Sequence, residues 1–391
     1  MEMVKKEIYL DNSATTPLSD AARKKLVECL DVYGNPSSLH SLGQSAEALI
    51  KEARATILSA LGVRAREGEL IFTSCGTEAT ALALMGSAWA KERRDAKRIL
   101  ISDSEHPATK NTAAMLQREG FEVVEIPTRG GRLDLEAIES ALSERIFLAS
   151  FMLVNNETGA LYDLRSAFAK IKARYPEALT HCDAIQGFMK VPFTPASLLA
   201  DMVSISGHKL HAPKGVGALY VSADVLKKRK LVAFLNGGGQ ERGFRSGTEN
   251  VLGIAAFGAA VADIKGRYAE NRRIFAELYA YCTERLLAID GIRINLPAER
   301  VDHIVNITLP SIKSETALHF LSADGVYVSS GSACSSHSGK PSGVLIAFGL
   351  TPAEADCSLR ISFSEYNTKA DVDALADSLT AAISRLVRIK R

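Results

Sequence analysis

The first two-thirds of the chain alternate short, apolar, β-branched runs with segments of helical periodicity. One helical segment places apolar residues on a single face between positions 46 and 61. Another covers 135–142 behind Asp134, a residue type that favours helix N-caps. Strands that alternate with helices form a mostly parallel sheet with helices on both faces. The sequence therefore predicts an α/β fold with buried strands at 69–74, 98–102, 122–126, 146–153, 179–183, 201–206 and 216–221.

The pattern changes after about Asn250. A long helical stretch over 251–287 is followed by strand-like runs, a Gly/Ser-rich loop and a terminal helix from 371. The length of 391 residues fits two or three domains at roughly 100–200 residues each. We therefore predict a large domain over 15–262 and a smaller α+β domain built from 1–14 and 263–391. In the smaller domain we expect strands at 293–295, 303–309 and 358–363 and a helix near 315–321.

Composition and charge exclude several classes of protein. With 47% apolar and 24% charged residues, the chain is neither disordered nor fibrous. Its 47 basic and 45 acidic residues leave no charge footprint for nucleic acid or an anionic membrane surface. No apolar run approaches the ~20 residues of a membrane-spanning helix, and the first residues show no secretory signal. The six cysteines stand far apart without a CxxC pair, which predicts reduced thiols in the cytoplasm and no metal site.

The segment 204–217 combines the end of a predicted buried strand with a Gly/Pro loop, and it contains Lys209. Ligands of open α/β sheets bind at the carboxyl ends of the strands. A lysine at that edge is partly desolvated, which lowers its pKa and favours the neutral amine that attacks an aldehyde to form a Schiff base. For this segment alone, a surface lysine beside a turn remains the alternative.

Two other strand ends carry residues suited to pyridoxal 5′-phosphate (PLP). Asp183 ends the predicted strand 179–183, where its carboxylate could pair with the pyridinium nitrogen of the ring, and Gln186 could donate to the phenolic oxygen. His106 follows the strand 98–102 and could stack on a planar cofactor. Taken singly, Asp183 could equally be a helix N-cap, and His106 an ordinary loop residue.

A possible phosphate seat follows the strand 69–74. Gly76 and Thr77 open an apolar helix there, and the first helical N–H groups with a threonine hydroxyl suit an anion. Ser206 and His208 could donate to the same phosphate from the neighbouring loop. The alternative for this segment is a capping box, with Ser74 or Thr77 as the cap.

Further segments complete a pattern that extends over nearly the whole chain. In order they are YLDNSATTP (9–17), YGNPSSLH (33–40), FTSCGTEA (72–79), SEHPA (104–108), VNNETG (154–159), HCDAIQ (181–186), SGHKLHAPKGVGALYV (206–221), GGGQERGFRSGTEN (237–250), SSGSACSS (329–336) and, as a weaker match, RISFSEYNT (360–368). Read together, they resemble the cysteine desulfurases of the class V aminotransferase group of fold-type I PLP enzymes. The resemblance implies a large PLP-binding domain and a small domain.

The resemblance also implies roles for the matched residues. Lys209 corresponds to the Schiff-base lysine and, with His106, to a proton carrier, and Asp183 corresponds to the pyridinium partner. Asn156 and Arg360 correspond to residues that hold the substrate, and a guanidinium suits bidentate capture of an α-carboxylate. The remaining cofactor-binding residues are Gly76, Thr77, His106, Asn156, Gln186, Ser206, His208 and Thr248. Thr248 corresponds to a phosphate ligand from the other subunit, so the resemblance implies a homodimer.

Cys334 lies in the segment 329–343, whose Gly, Ser and Pro content predicts a mobile loop. The resemblance implies that the Cys334 thiolate attacks the substrate sulfur and carries the resulting persulfide outward. The spacing from Cys334 to Val344 resembles that of the longer-loop desulfurases, which hand sulfur to a scaffold directly. The other five cysteines match no functional position. Ser364 stands where the family usually has glycine.

The sequence therefore predicts a PLP-dependent cysteine desulfurase. It would convert L-cysteine to L-alanine, leave a persulfide on Cys334, and supply a protein sulfur acceptor such as an iron–sulfur scaffold. Two alternatives remain open. One is a related class V enzyme, a selenocysteine lyase or an aminotransferase, which would share every cofactor residue. The other is a PLP-fold protein that serves as a non-catalytic platform for an assembly partner.

Overall fold

A computed structural model of the protein describes residues 7–64, 66–90, 96–331 and 341–386. The strands of its largest sheet are β2 (Gly68–Thr73), β3 (Arg98–Ser102), β4 (Glu122–Ile126), β5 (Ile146–Met152), β6 (Leu179–Asp183), β7 (Met202–Ser206) and β8 (Gly217–Ser222). Their order in the sheet is β2-β8-β7-β6-β5-β3-β4. The pairs among β3 to β7 are parallel, whereas β8 runs antiparallel to both β2 and β7. The predicted α/β fold with a mostly parallel sheet is confirmed.

The burial of one strand differs from the prediction. The run 122–126 was expected to be a buried strand, but Glu122 and Glu125 are exposed and Val123 and Val124 are only partly buried. The reason is its place in the sheet, because β4 forms an edge and, among the described strands, pairs only with β3. By contrast, every residue of β5, β6 and β7 is buried.

Helices cover both faces of this sheet. Successive strand residues point to opposite faces, so Phe72 lies in one core cluster and Ile71 in another. The helices of the described ranges are α1 (Asp20–Cys29), α2 (Ser41–Ala60), α3 (Gly76–Ala88), α4 (Pro107–Arg118), α5 (Leu135–Ala141), α6 (Leu164–Arg174), α7 (Pro195–Leu198), α8 (Ala223–Lys227), α9 (Val251–Gly266), α10 (Tyr268–Leu287), α11 (Ser314–Ala323), α12 (Gly343–Phe348), α13 (Pro352–Asp356) and α14 (Lys369–Leu386). The cluster of Phe72 contains apolar residues of α1, α2, α5, α6 and α9, and the cluster of Ile71 contains those of α3, α4 and α8.

A separate core lies in the C-terminal part of the chain. There an antiparallel sheet has the order β12-β10-β9, and β1 pairs in parallel with β11. The N-terminal residues Ile8 and Leu10 pack in this core together with residues of α10, α11 and α14. These strands are β1 (Ile8–Tyr9), β9 (Arg293–Ile294), β10 (Ile304–Thr308), β11 (Val326–Tyr327) and β12 (Ser358–Ser362). The domain boundary between 262 and 263 stays a prediction.

The predicted helical stretch 251–287 is two helices rather than one. Asn250 caps α9 by accepting a hydrogen bond from the backbone N–H of Gly253. The helix ends at Gly266, and Arg267 has φ −115° and ψ 15°, outside the helical region. Glycine is a poor helix former, which accounts for the break at this point. Among the helices of the described ranges, none is long and apolar enough to cross a membrane.

Candidate active site

The carboxyl ends of the strands β2, β3, β5, β6 and β7 meet at one edge of the large sheet, because the two antiparallel pairings of β8 leave β2 parallel to β7. A cavity of about 250 Å³ lies at this edge. One water needs only about 10–15 Å³ on the same measure, so the cavity has room for a small organic molecule. Its lining includes ten residues predicted from the sequence, namely Gly76, Thr77, His106, Asn156, Asp183, Gln186, Ser206, His208, Lys209 and Arg360.

Lys209 is held at this edge by a segment from the start of the chain. It ends a short 3-10 turn, Gly207–Lys209, that follows β7 directly. Its Nζ donates hydrogen bonds to the carbonyl oxygens of Ser13 at 2.6 Å and Ala14 at 2.7 Å. The Nδ1 atom of the preceding His208 lies 3.2 Å from the hydroxyl of Thr15. Sequence reasoning did not assign a role to Ser13 or Ala14, because a backbone carbonyl carries no side-chain signal.

Asp183 and Gln186 lie at the end of β6. The Oδ1 atom of Asp183 accepts a hydrogen bond from the backbone N–H of Ile185 at 3.0 Å. Burial raises the pKa of Asp183 to about 6, although this N–H and the nearby charge of Lys209 act in the opposite direction. Gln186 donates from Nε2 to the Ser13 carbonyl at 2.8 Å. Its buried Oε1 has no partner in the described part of the chain.

No side chain at the N-cap position of α3 makes a capping hydrogen bond. Cys75 occupies the N-cap position and makes no capping hydrogen bond. Ser74 instead bonds to Glu78 through both its backbone N–H and its hydroxyl. The capping box that the sequence allowed, with Ser74 or Thr77 as cap, is therefore not formed. The first N–H groups of α3 remain available to an anion.

Two details shape this helix end as a cradle. A Cβ atom at Gly76 would lie 2.4 Å from Cδ1 of Ile185 and 3.2 Å from Cβ of Ser206, so a glycine allows the close approach. The hydroxyl of Ser206 is buried and has no hydrogen-bond partner among the residues that the structure describes. Buried hydroxyls are normally hydrogen-bonded, and one that lines a cavity suits a polar ligand.

His106 caps a helix as well as lining the cavity. Its Nδ1 accepts a hydrogen bond from the N–H of Ala108 at 3.1 Å, and Pro107 begins α4. A neutral ring with this bond carries its proton on Nε2. Burial, followed by the charge of Lys209, lowers the pKa of His106 to about 4. Its ring is thus neutral near pH 7, with a fixed tautomer.

Arg360, on β12, is 1% exposed and reaches the cavity from the core in the C-terminal part of the chain. Its Nη2 donates to Oδ1 of Asp11 at 2.6 Å, and its Nη1 donates to the carbonyl oxygen of Asn156 at 2.8 Å. The buried Nε has no partner in the described ranges. A guanidinium has five N–H donors, so further donors remain for a carboxylate. Asp11 is a partner that sequence reasoning missed.

Two predicted residues are not placed at the cavity. Thr248 is exposed and does not contribute to the cavity lining. Cys334 lies outside the described residues, so its role stays a prediction. Sequence reasoning also missed Glu105, whose Oε1 accepts hydrogen bonds from the Ser102 hydroxyl at 2.7 Å and the Met152 N–H at 2.8 Å. Burial raises the pKa of Glu105 to about 8, so near pH 7 a neutral carboxyl beside His106 in the chain makes these hydrogen bonds to Ser102 and Met152.

Comparison with known proteins gives a consistent result. Residues 8–375 match the family Aminotransferase class-V. The chain is 37% identical over 388 residues to "Cysteine desulfurase IscS" of Methanosarcina thermophila, covering 97% of this chain and 93% of the relative. It is also 37% identical over 389 residues to "Cysteine desulfurase IscS" of Proteus mirabilis, covering 98% of this chain and 94% of the relative.

Solved structures extend the comparison to the fold. A structure named "NIFS-LIKE PROTEIN" superposes with a TM-score of 0.88 at 32% identity, covering 97% of this chain and 100% of that one. Another, "SspA in complex with cysteine", has a TM-score of 0.80 at 30% identity and covers 93% of this chain and 100% of that one. By sequence and by fold, the chain belongs to the cysteine desulfurases of the class-V aminotransferase family.

Proposed function

We propose that the protein is a PLP-dependent cysteine desulfurase that converts L-cysteine to L-alanine and leaves a persulfide on Cys334. The observation that supports this most strongly is the gathering around one cavity of ten residues that were predicted from motifs spread along the chain. That cavity lies where ligands of open α/β sheets bind, at the carboxyl ends of the strands.

The residues present fit PLP. The open N-terminus of α3, the glycine at position 76 and the unpartnered hydroxyl of Ser206 suit a phosphate group. Asp183 is a buried carboxyl that a cationic ring nitrogen would compensate, because an opposite charge favours its ionised form. Lys209 supplies the amine that a pyridoxal aldehyde requires.

Each residue at the cavity has a role in the proposed reaction. Bound PLP supplies an electron sink for the bonds at the substrate α-carbon. Asp183 would hold the ring nitrogen, and the N–H of Ile185 fixes the orientation of that carboxylate. Nζ of Lys209 would take the substrate α-proton and return a proton during the formation of alanine. His106, neutral and with its proton on Nε2, would support the ring and serve as a second proton carrier.

The substrate would be held at the side of the cavity formed by β12. Arg360 would bind the α-carboxylate through N–H donors that Asp11 and Asn156 leave available. The Asn156 side chain would contact the substrate beside it. The Cys334 thiolate would then attack the cysteine sulfur, so that a new S–S bond forms as the carbon–sulfur bond breaks, and the carbon takes up a proton to give alanine.

We further propose a homodimer and a protein sulfur acceptor. Thr248 is exposed on the surface of the chain, where a second subunit could receive it as a phosphate ligand. The acceptor would be a protein such as an iron–sulfur scaffold. The domain division at 262/263 and the cytoplasmic location remain predictions from the sequence.

Mass spectrometry provides the test. After brief exposure of the PLP-loaded protein to L-cysteine, we expect one added sulfur atom on the peptide that contains Cys334. Cys334→Ser should keep bound PLP but lose alanine and sulfide release, whereas Cys29→Ala, at a buried site outside the cavity lining, should keep both. Normal turnover by Cys334→Ser would refute the proposal. Preference for selenocysteine, or amino transfer to an oxoacid, would favour a related class V enzyme, and a loaded protein without persulfide would favour a non-catalytic platform.

A further inference from the structure

A second, much smaller cavity shares Lys209 with the first. It encloses about 10 Å³ and is lined by Lys209 and Leu210 of the large-sheet region and by Asn271 of α10. Lys190, which follows β6 in the chain, and Glu365, which follows β12, also line it. Lys209 therefore lines both this small cavity and the one that the proposed function uses.

Three polar atoms at the small cavity are buried without a hydrogen-bond partner among the described residues. They are Nζ of Lys190, Oδ1 of Asn271 and Oε1 of Glu365. Lys190 is 9% exposed, Asn271 is 3% exposed, and the side chain of Glu365 is 5% exposed. Buried polar atoms are almost always hydrogen-bonded in folded proteins. One donor and two acceptors therefore belong to residues that line the same cavity, where a single partner could satisfy all three.

The charges at this cavity are complementary. Burial lowers the pKa of Lys190 to about 8, while Glu365 acts to raise it, so Lys190 is protonated at neutral pH. Burial acts to raise the pKa of Glu365, but contact with His211 brings it below its ordinary value. The Oε2 atom of Glu365 lies 3.3 Å from Nε2 of His211. Glu365 is thus ionised, its Oε2 contacts His211, and its Oε1 has no hydrogen-bond partner among the described residues.

We propose that Lys190, Asn271 and Glu365 hold one internal water molecule in the small cavity, and that this bridge positions Lys209 and Arg360. The water would accept a hydrogen bond from Nζ of Lys190 and donate to Oδ1 of Asn271 and Oε1 of Glu365. Buried waters typically make about three hydrogen bonds and need about 10–15 Å³, which this cavity matches.

The bridge joins the elements that carry the proposed site. Lys190 comes from the segment after β6, and the turn that bears Lys209 lies beside it. Glu365 follows β12, the strand of Arg360, and Asn271 belongs to α10. Lys190 is thus a positioning residue, because it does not line the larger cavity. This functional part of the inference rests on the proposed function, whereas the water bridge does not.

A double-mutant cycle on the full-length protein tests the bridge. Lys190→Met and Glu365→Gln should each lower the midpoint of thermal unfolding by about 4 °C or more, because each leaves a buried group without its partner. The double variant should lose clearly less than the sum of the two shifts. Lys313→Met and Asp356→Asn, at an exposed ion pair, are the control and should give small, additive shifts. Additive shifts at Lys190 and Glu365 would overturn the bridge.

Crystallography of the unaltered protein tests the same point without a variant that must fold. At high resolution, one electron-density peak should lie within hydrogen-bonding distance of all three atoms. A direct contact between Lys190 and Glu365, or no peak at that place, would overturn the proposal.

The positioning role has a spectroscopic test in the PLP-loaded protein. Lys190 and Glu365 carry opposite charges, so Lys190→Met should raise the pH midpoint of the visible absorption of bound PLP, and Glu365→Gln should lower it. Other titratable or charged groups near this pair are Arg360, His208 and His303 around Lys190, and His211 and Arg267 around Glu365. Equal or same-sign shifts would refute positioning. A protein that binds no PLP would refute the proposed function while leaving the thermal cycle to judge the bridge.

Discussion

Asp183 should destabilise the folded protein when PLP is absent, and it should be needed for tight binding of PLP. The carboxyl is buried at the end of β6, and its pKa is raised to about 6 from an ordinary value of 3.8. Because the folded state binds this proton more tightly than the unfolded state, protonation favours folding at low pH. That contribution is present below about pH 4 and is lost as the pH rises through about 6.

The expected change in the free energy of unfolding follows from the pKa shift of Asp183. A difference of about 2 pKa units corresponds to about 3 kcal/mol, since each unit is worth about 1.36 kcal/mol. Asparagine has similar size and no charge, so Asp183→Asn should recover up to this amount above pH 6. For 391 residues that unfold together, at about 2.1 cal/mol/K per residue, the midpoint of thermal unfolding should rise by about 4 °C.

Thermal unfolding of PLP-free protein between pH 4 and pH 8 is the assay. Asp183→Asn should unfold at a higher temperature than the original protein at pH 8, and the two should converge toward pH 4. Asp302→Asn, at a partly exposed ion pair, is the control and should show no such convergence. With PLP, the same Asp183→Asn protein should bind the cofactor more weakly. A lower midpoint at pH 8, or a difference that does not change with pH, would refute the reasoning.

Three further changes test other parts of the site. Ser206→Ala should weaken PLP binding about tenfold while barely changing the thermal midpoint of PLP-free protein, because the Ser206 hydroxyl has no hydrogen-bond partner among the described residues. The control Ser204→Ala removes a bonded hydroxyl, so it should lower the thermal midpoint and leave PLP binding nearly unchanged. Equal effects of the two variants on PLP binding would contradict this role of Ser206. Arg360→Lys should raise the KM for cysteine about tenfold or more in an alanine-release assay, because lysine cannot form the bidentate pair, and an unchanged KM excludes this role. Mixing inactive Thr248→Ala and Lys209→Ala proteins under subunit exchange should restore activity through one intact site per hybrid dimer, and no recovery would count against a shared site.

The sequence could predict the sheet and most of the cavity lining because both depend on local signals. The β-branched runs lie within a residue or two of the observed strands, and the polar residues at the strand ends converge because parallel strands share an edge. The edge position of β4 was not predictable, because its valines look like those of an interior strand until the strand order is known.

Other features depend on contacts between distant parts of the chain. The carbonyl oxygens of Ser13 and Ala14 that hold Lys209 lie 196 and 195 positions away in sequence. The composition of neither segment indicates that Lys209 contacts these carbonyl oxygens. Lys190 and Glu365 likewise look like surface charges in the sequence, and only the packing of α10 and β12 against the large-sheet region buries them.

The N-terminal segment couples the two cores mechanically. Leu10 is packed in the C-terminal core, and the N–H of Ser13 is bonded to the hydroxyl of Ser362 at 2.8 Å. In the same segment, the carbonyl oxygens of Ser13 and Ala14 accept hydrogen bonds from Nζ of Lys209. A shift of the C-terminal core would therefore move these oxygens with it and change how firmly Nζ of Lys209 is held.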